Sequence, residues 1–198
     1  MPIAVDVAIL LSGAARTVVE RLNAGFDHAS DAGFRFDASH HPHVTLSQHF
    51  VRRGRLSEVR GLVGNVVGRL DAFELRVTGA RAGRTSQVLT VEASATLGRL
   101  HERLMHALRH EEVAGDATAF QADGEPARPA DVAWVEGFRE RSSYASYDPH
   151  VTVGIGPRPL RAAPFRFPVE EIALCRLGRF CTCRQVLASW VLAAGAGA

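Results

Sequence analysis

No run of about 18 or more apolar residues occurs in this chain, so no membrane-spanning helix is expected. A basic amino-terminal region is also missing. Met1-Pro2-Ile3 opens an apolar run to Leu11 that Asp6 interrupts, which reads as a buried strand and not as a targeting segment. Cysteine is scarce: Cys175, Cys181 and Cys183 lie in one short region. An odd number without a signal sequence predicts reduced thiols and a cytoplasmic location. Excess charge of one sign is absent too. With a formal net charge of +2, bulk electrostatics makes no case for duplex DNA or for a membrane surface. Lysine does not occur, all 23 basic residues being arginine. That reads first as genomic composition bias, although arginine also suits bidentate phosphate contacts. The apolar share of 46% and the charged share of 22% are those of a soluble globular protein, and 198 residues suffice for a sizeable core.

Against these absences stands a tetrapeptide that occurs twice. His43-Val44-Thr45-Leu46 recurs as His150-Val151-Thr152-Val153, and each copy follows a proline, Pro42 or Pro149. On a strand, residues i and i+2 share a face. Each copy therefore presents an imidazole beside a hydroxyl and turns its aliphatic residues to the core.

The remaining chain reads as alternating strands and helices. Residues 3–11 predict a strand, broken at Ser12 and Gly13. Residues 14 to about 29 predict a helix carrying Val18, Val19, Leu22 and Phe26. The first motif strand spans 43–51. A helix follows Gly54, its apolar face running from Leu56 to Leu70. Residues 73–78 and 87–92 alternate as a hairpin, and Leu97, Leu100, Leu104 and Leu108 mark a third helix. Residues 111–129 read as a long loop, and the 111–135 stretch as a lid or a plain insertion. Asp131 can cap a short helix through Arg141. The second motif strand starts at Pro149 and a turn falls at 156–159. Strands are expected at 167–177 and 184–192, with fraying from Ala193 to Ala198. Strand, helix and motif strand thus occur in that order at 3–51 and again at 87–155. Two halves related by a pseudo-twofold would bring both motifs to one cleft.

Unperturbed histidine titrates near pH ~6.5, so a pair holds one neutral and one protonated ring near neutrality. Neutral imidazole activates water, and imidazolium protonates a departing alkoxide. Thr45 and Thr152 would hold the non-bridging phosphoryl oxygens, and no metal is required. A single such pair is more simply a packed or solvated strand residue. Two copies with the same apolar flanks and the same preceding proline argue against coincidence.

These four residues, at this spacing and in this element order, resemble the two-histidine (2H) phosphoesterase superfamily. That family includes bacterial RNA 2′,3′-cyclic phosphodiesterases, historically called 2′-5′ RNA ligases. The resemblance implies an α+β, bilobal, pseudo-twofold fold over residues 1–198 as one domain. Its antiparallel sheets would carry helices on the outer faces, with the motifs on central strands. It also implies His43 and His150 as the catalytic pair and Thr45 and Thr152 as phosphate ligands. The activity expected is hydrolysis of a 2′,3′-cyclic phosphate on a nucleotide or RNA end, without metal or cofactor. Alternatives are 2′-5′ RNA end-joining in the same cleft, or a noncatalytic nucleotide- or RNA-binding module.

Other candidates surround the motifs. On a straight strand Ser47 and His49 would share the face of His43, with Gln48 opposite. His40, His41 and His49 cluster, yet no nearby carboxylate or cysteine completes a metal set. Tyr147, three residues before His150, is the aromatic most suited to stack on a base, ahead of Tyr144 and Phe50. Arg16, Arg35 and Arg158 are possible phosphate partners, with nothing to choose among them. The His101–His106 spacing is wrong for a zinc-protease helix. Cys181 and Cys183 read as small buried hydrophobes. Gly154-Ile155-Gly156 leads to a proline and is no dinucleotide fingerprint.

Overall fold

The structure, a computed structural model, describes residues 1–29, 32–122 and 126–193. In chain order it comprises β1 (Pro2–Leu10), α1 (Gly13–Asn23), β2 (His43–Arg52), α2 (Leu56–Val67), β3 (Phe73–Ala82), β4 (Ser86–Val91) and α3 (Ala95–Leu108). There follow α4 (Pro129–Glu136), α5 (Phe138–Arg141), β5 (His150–Ile155), β6 (Phe165–Val169), β7 (Glu171–Leu177) and β8 (Cys183–Val191). The strands form two four-stranded antiparallel sheets, ordered β2-β1-β7-β8 and β5-β4-β3-β6. Strand by strand the orders correspond. The expected recurrence is therefore present: β1-α1-β2 in one half matches β4-α3-β5 in the other. The fold is α+β.

Local chemistry explains several elements. Ser94 caps α3 by accepting from Leu97 N at 3.1 Å, and Leu97, Leu100, Leu104 and Leu108 bury one face of the helix. Asp131 acts from the third position of α4, not as its first cap. Its carboxylate reaches back to Arg128 N at 2.9 Å and also accepts from Phe180 N at 3.1 Å. Ile3, Val5, Val7 and Ile9 send one face of β1 into a core shared by both sheets and α1 to α3. On the opposite face Ala4, Asp6 and Ala8 are buried too. That double burial is why the sequence of β1 reads as a nearly unbroken apolar run.

Four expectations need correction. The single strand at 167–177 is two strands in different sheets. Residues 165–169 pair with β3, residues 171–177 pair with β1, and the chain crosses between sheets at Glu170. Both segments are apolar and β-rich, so composition does not reveal the crossing. The first helix stops at Asn23, short of the expected 29. The 111–135 stretch, read as a lid or a plain insertion, is packed as far as it is described: Ala119, Phe120 and Val135 join Ala4, Phe50 and Leu177 in a second small core. The motif strands are edge strands of their own sheets, and the two edges adjoin at the middle of the molecule. Of the segment expected to fray, Ala193 to Ala198, Ala193 is tied down by accepting from Ala72 N at 2.8 Å, and Ala194 to Ala198 lie outside the described residues. Among those described, no helix is long and apolar enough to cross a membrane.

Candidate active site

Both motifs line one cleft of about 600 Å³, with His43, Thr45, His150, Thr152 and Tyr147 on its walls. The backbone presents them by the same device twice. In the β1–β2 pairing Ala8 faces Thr45 and Val7 faces Ser47, leaving Leu46 as an extra residue. In β4–β5, Val88 faces Thr152 and Gln87 faces Gly154, leaving Val153 extra. Each motif thus ends on a β-bulge, which reverses the facing of everything beyond it. Just upstream, Leu11 N donates to Pro42 O at 2.9 Å and Val91 N to Pro149 O at 3.1 Å, the same bond in each half.

The bulge corrects the straight-strand reading of β2. Gln48, paired with Asp6, turns into the cleft, whereas Ser47 and His49 turn away. His49 is buried and bonds Glu112 Oε1 through Nδ1 at 2.7 Å.

The two carbonyls at the bulges are anchored crosswise. Asn23 at the end of α1 donates to Val153 O of the other half at 2.7 Å, and also to Phe34 O at 3.0 Å. His101 of α3 donates through Nδ1 to Leu46 O of the first half at 2.6 Å, while its Nε2 accepts from Tyr144 N at 2.8 Å. Both side chains are buried. A buried polar group is retained at this cost only where its bonds are complete. His101 is therefore a brace for the first motif, and Asn23 for the second. Gly154 contributes at the same place, because a Cβ there would overlap the Phe26 ring.

The histidines are held in matching tautomers. His43 Nδ1 lies 2.8 Å from His41 O, and His150 Nδ1 lies 2.7 Å from Asp148 O. A carbonyl can only accept, so each Nδ1 carries the hydrogen and each Nε2 is left for proton transfer.

Around this shared frame the polar surroundings differ. Thr45 Oγ1 donates to Asp6 Oδ2 at 2.7 Å, and Gln48 Nε2 donates to the same oxygen at 2.8 Å. His43 Nε2 stands 3.7 Å from it. Asp6 is fully buried, and its Oδ1 has no hydrogen-bond partner. Burial pushes the Asp6 carboxyl up to about 7, against the bonds from Gln48 and Thr45. Burial also pushes the His43 ring down to about 4, opposed by the His41 carbonyl and assisted by the neighbouring His150 and His41. Near neutrality the His43 ring is therefore uncharged, and the 3.7 Å approach is not an ion pair. In the other half, the register places Ser86 where Asp6 stands and Ile155 where Gln48 stands. Among the described residues, the Thr152 hydroxyl makes no bond.

Tyr147 joins the halves: its hydroxyl donates to Thr45 O at 2.9 Å, and its ring lies flat on His101 at 3.9 Å. One ring face is thereby taken. Phe50 is buried edge-on against Phe120 and reaches no cleft. The Tyr144 hydroxyl accepts from Arg139. Arg16 pairs with Glu20, and Arg158 bonds Gly25 O. Neither lines the cleft, and Arg35 does not line it either. The arginines that do are Arg81, Arg84, Arg128 and Arg141. Arg81 pairs with Asp148, Arg128 with Asp131, and Arg141 bonds Ala133 O, whereas Arg84 on the β3–β4 turn has no partner among the described residues. Trp134 of α4 also lines the cleft and remains 39% exposed, a better placed aromatic face than Phe50.

Sequence reading missed Asp6, Gln48, Asn23 and His101. Only Asp6 left a signal, a carboxylate inside an apolar run.

Comparison with known proteins bears on this geometry. The profile of the 2′-5′ RNA ligase superfamily matches residues 12–179. No curated protein matches the chain. Among solved structures, TT0787 of Thermus thermophilus is similar with a TM-score of 0.63 at 19% identity, covering 98% of this chain and 100% of that one. LigT of E. coli in complex with NADP+ gives 0.61 at 19% identity, covering 97% and 99%. The PDE domain of MHV ns2 gives 0.55 at 14% identity, covering 88% and 99%. With the profile spanning most of its length and both motifs facing one cleft, the chain belongs to the 2′-5′ RNA ligase superfamily of two-histidine phosphoesterases.

Proposed function

We propose that this protein is a metal-independent phosphodiesterase that opens 2′,3′-cyclic phosphates of nucleotides or RNA ends, acting in the cytoplasm. The observation that carries the reading is the pair of imidazoles whose Nε2 atoms face one cleft while both Nδ1 atoms are tied to backbone. His43, kept neutral by burial, takes a proton from water as the water oxygen bonds to phosphorus. The bond from phosphorus to one ribose oxygen breaks, and His150 Nε2–H gives that oxygen its proton. The product is a phosphate monoester, and the two rings have exchanged protonation states, which solvent resets.

The threonines hold the phosphoryl oxygens by different means. Thr152 has its hydroxyl hydrogen available. Thr45 spends its own on Asp6 while that carboxyl is ionised. Once protonated, Asp6 can donate to Thr45 Oγ1, and the threonine hydrogen turns to the phosphate. Trp134 and the open face of Tyr147 would carry the base, and Arg84 a neighbouring phosphate. LigT, which shares the fold, is solved in complex with 3′-AMP and with ATP, which supports a nucleotide as the ligand.

The test is incubation with a panel of nucleoside 2′,3′-cyclic monophosphates, with the 2′ and 3′ monoester products separated. Turnover in excess chelator supports the reading. Binding of the nucleotides with no turnover of any of them would leave a noncatalytic module instead. The family name motivates one further assay. RNA fragments ending in a cyclic phosphate and a 5′-hydroxyl, incubated together, separate 2′-5′ joining from hydrolysis.

A further inference from the structure

Beneath the first motif, behind the cleft wall, His43 meets two buried donors outside the catalytic pair. Asp6, His43 and Cys183 offer a carboxylate oxygen, an imidazole nitrogen and a thiol sulfur, all within 4.8 Å of one another. Strand order produces this juxtaposition. β1 brings Asp6, β2 brings His43, and His41 N bonds Cys183 O at 3.0 Å, drawing the start of β8 beneath the first motif. Asp6 and Cys183 are fully buried, and His43 is the donor that opens to the cleft.

From this geometry we infer a second, inhibitory site that binds zinc or a similar borderline divalent cation through Asp6, His43 and Cys183. Three observations support the inference. Donor atoms around a tetrahedral zinc stand roughly 3.3–3.8 Å apart, given its usual bond lengths. His43 Nε2 and Asp6 Oδ2 already lie 3.7 Å apart, and closure requires a shift of at most about 1.3 Å for the widest pair, which involves the Cys183 sulfur. Second, Asp6 Oδ1 is buried without a partner, and Oδ2, the oxygen nearest His43, accepts from Thr45 and Gln48, so the carboxylate keeps acceptor capacity that a cation would fill. Third, the charges cancel. A carboxylate, a thiolate and a neutral imidazole bring two negative charges to a dication, which a desolvated site requires. Binding expels the thiol proton and any proton on Asp6 to solvent, and a water completes the fourth position. Sulfur and nitrogen donors select zinc-like ions over magnesium or calcium.

The consequence follows from the atom engaged. The cation takes His43 Nε2, which the proposed hydrolysis requires for its proton. That consequence rests on the proposed function; the site does not. Bound metal would therefore stop turnover, and a chelator would restore it.

Cobalt(II) titration of the metal-stripped full chain reads the site without reference to activity. We expect one ion per chain, a near-ultraviolet thiolate-to-cobalt absorption, intense visible bands of a tetrahedral ion, and bleaching by zinc. Cys183→Ser should lose the thiolate absorption, Asp6→Asn should bind more weakly, and the exposed His106→Ala should leave the spectrum intact. Circular dichroism verifies that each variant is folded, and Cys183→Ala serves if the serine variant is not. No thiolate band in the native protein, or a band that survives in both Cys183 variants, overturns the proposal. In parallel, zinc should inhibit cyclic-phosphate hydrolysis. Cys183→Ser should need more than about tenfold more zinc for half-inhibition, each rate being referred to that variant's own rate in chelator. Native turnover that persists when the cobalt site is filled also overturns it. A cobalt site of the expected kind in a protein with no hydrolysis in chelator keeps the metal site and discards the phosphodiesterase.

Discussion

The two halves of the cleft share a skeleton and differ in what surrounds it. In each, a proline carbonyl accepts from the neighbouring strand, an Nδ1–H is tied two residues back, and a bulge follows the threonine. The carbonyl at that bulge is held by a buried side chain from the opposite half. The polar neighbours are not repeated: Asp6 and Gln48 stand beside His43, where Ser86 and Ile155 occupy the matching places in the other half. The repeated features aim the side chains, and the unrepeated ones decide how protons are handled. A symmetric frame carrying an asymmetric charge environment suits a reaction in which one ring must accept and the other must give.

The largest effect tests the division of labour. His43→Ala and His150→Ala should each lower turnover of a cyclic phosphate by about 10²–10⁴-fold with the melting temperature little changed. A substrate with a nitrophenolate leaving group needs no proton donor, so it should recover most of the loss in His150→Ala and little in His43→Ala. The reverse pattern would exchange the roles. Next in size are the braces. Asn23→Ala removes three buried hydrogen bonds, including one from Phe36 N at 3.0 Å, and should cost about 3 kcal/mol in a denaturant titration. His101→Ala should cost a similar amount and also lower kcat, because Leu46 O loses its anchor beside Thr45. Equal stability losses without any effect on kcat would reduce both to ordinary core residues.

Asp6→Ala against Ser86→Ala addresses the asymmetry itself. The first should reduce kcat about tenfold, the rate equivalent of one lost hydrogen bond of ~1.4 kcal/mol. The second should change it little. Comparable losses would mean that Asp6 is only packing.

The smallest effect lies outside the cleft, where the reversed face of β2 meets the 111–129 stretch. Burial alone would raise the Glu112 carboxyl, but bonds from His49 and Arg139 outweigh it and bring it down to about 2. A carboxyl depressed on folding stabilises the protein above its ordinary value near 4.5, and the contribution fades as pH falls toward about 2. Denaturation midpoints should drop across that window, and Glu112→Gln should flatten the drop. An unchanged slope would detach the His49 network from acid stability.

Much of the site was legible in the chain because its reacting groups are local. Histidine, one residue, threonine on a strand is a pattern of period 2, and it survives any tertiary context that leaves the strand intact. Element order carried the pseudo-symmetry for the same reason. Where the reading failed, the deciding partner was distant. Ser47 and His49 faced the wrong way because a bulge reverses alternation, and only pairing to β1 reveals it. The strand at 167–177 divided because its two segments pair with β3 and β1, which sequence patterning does not distinguish. Asp6 was visible as an interruption, yet its bond to Thr45 spans 39 residues.

What the chain spells out directly is the chemistry available: two imidazoles, two hydroxyls, and an apolar pattern that must bury one face of every strand. Packing alone settled which polar side chains join them, which of the two rings is desolvated, and where each strand ends its alternation. Those outcomes depend on register and on burial, and both arise from contacts between segments far apart along the chain.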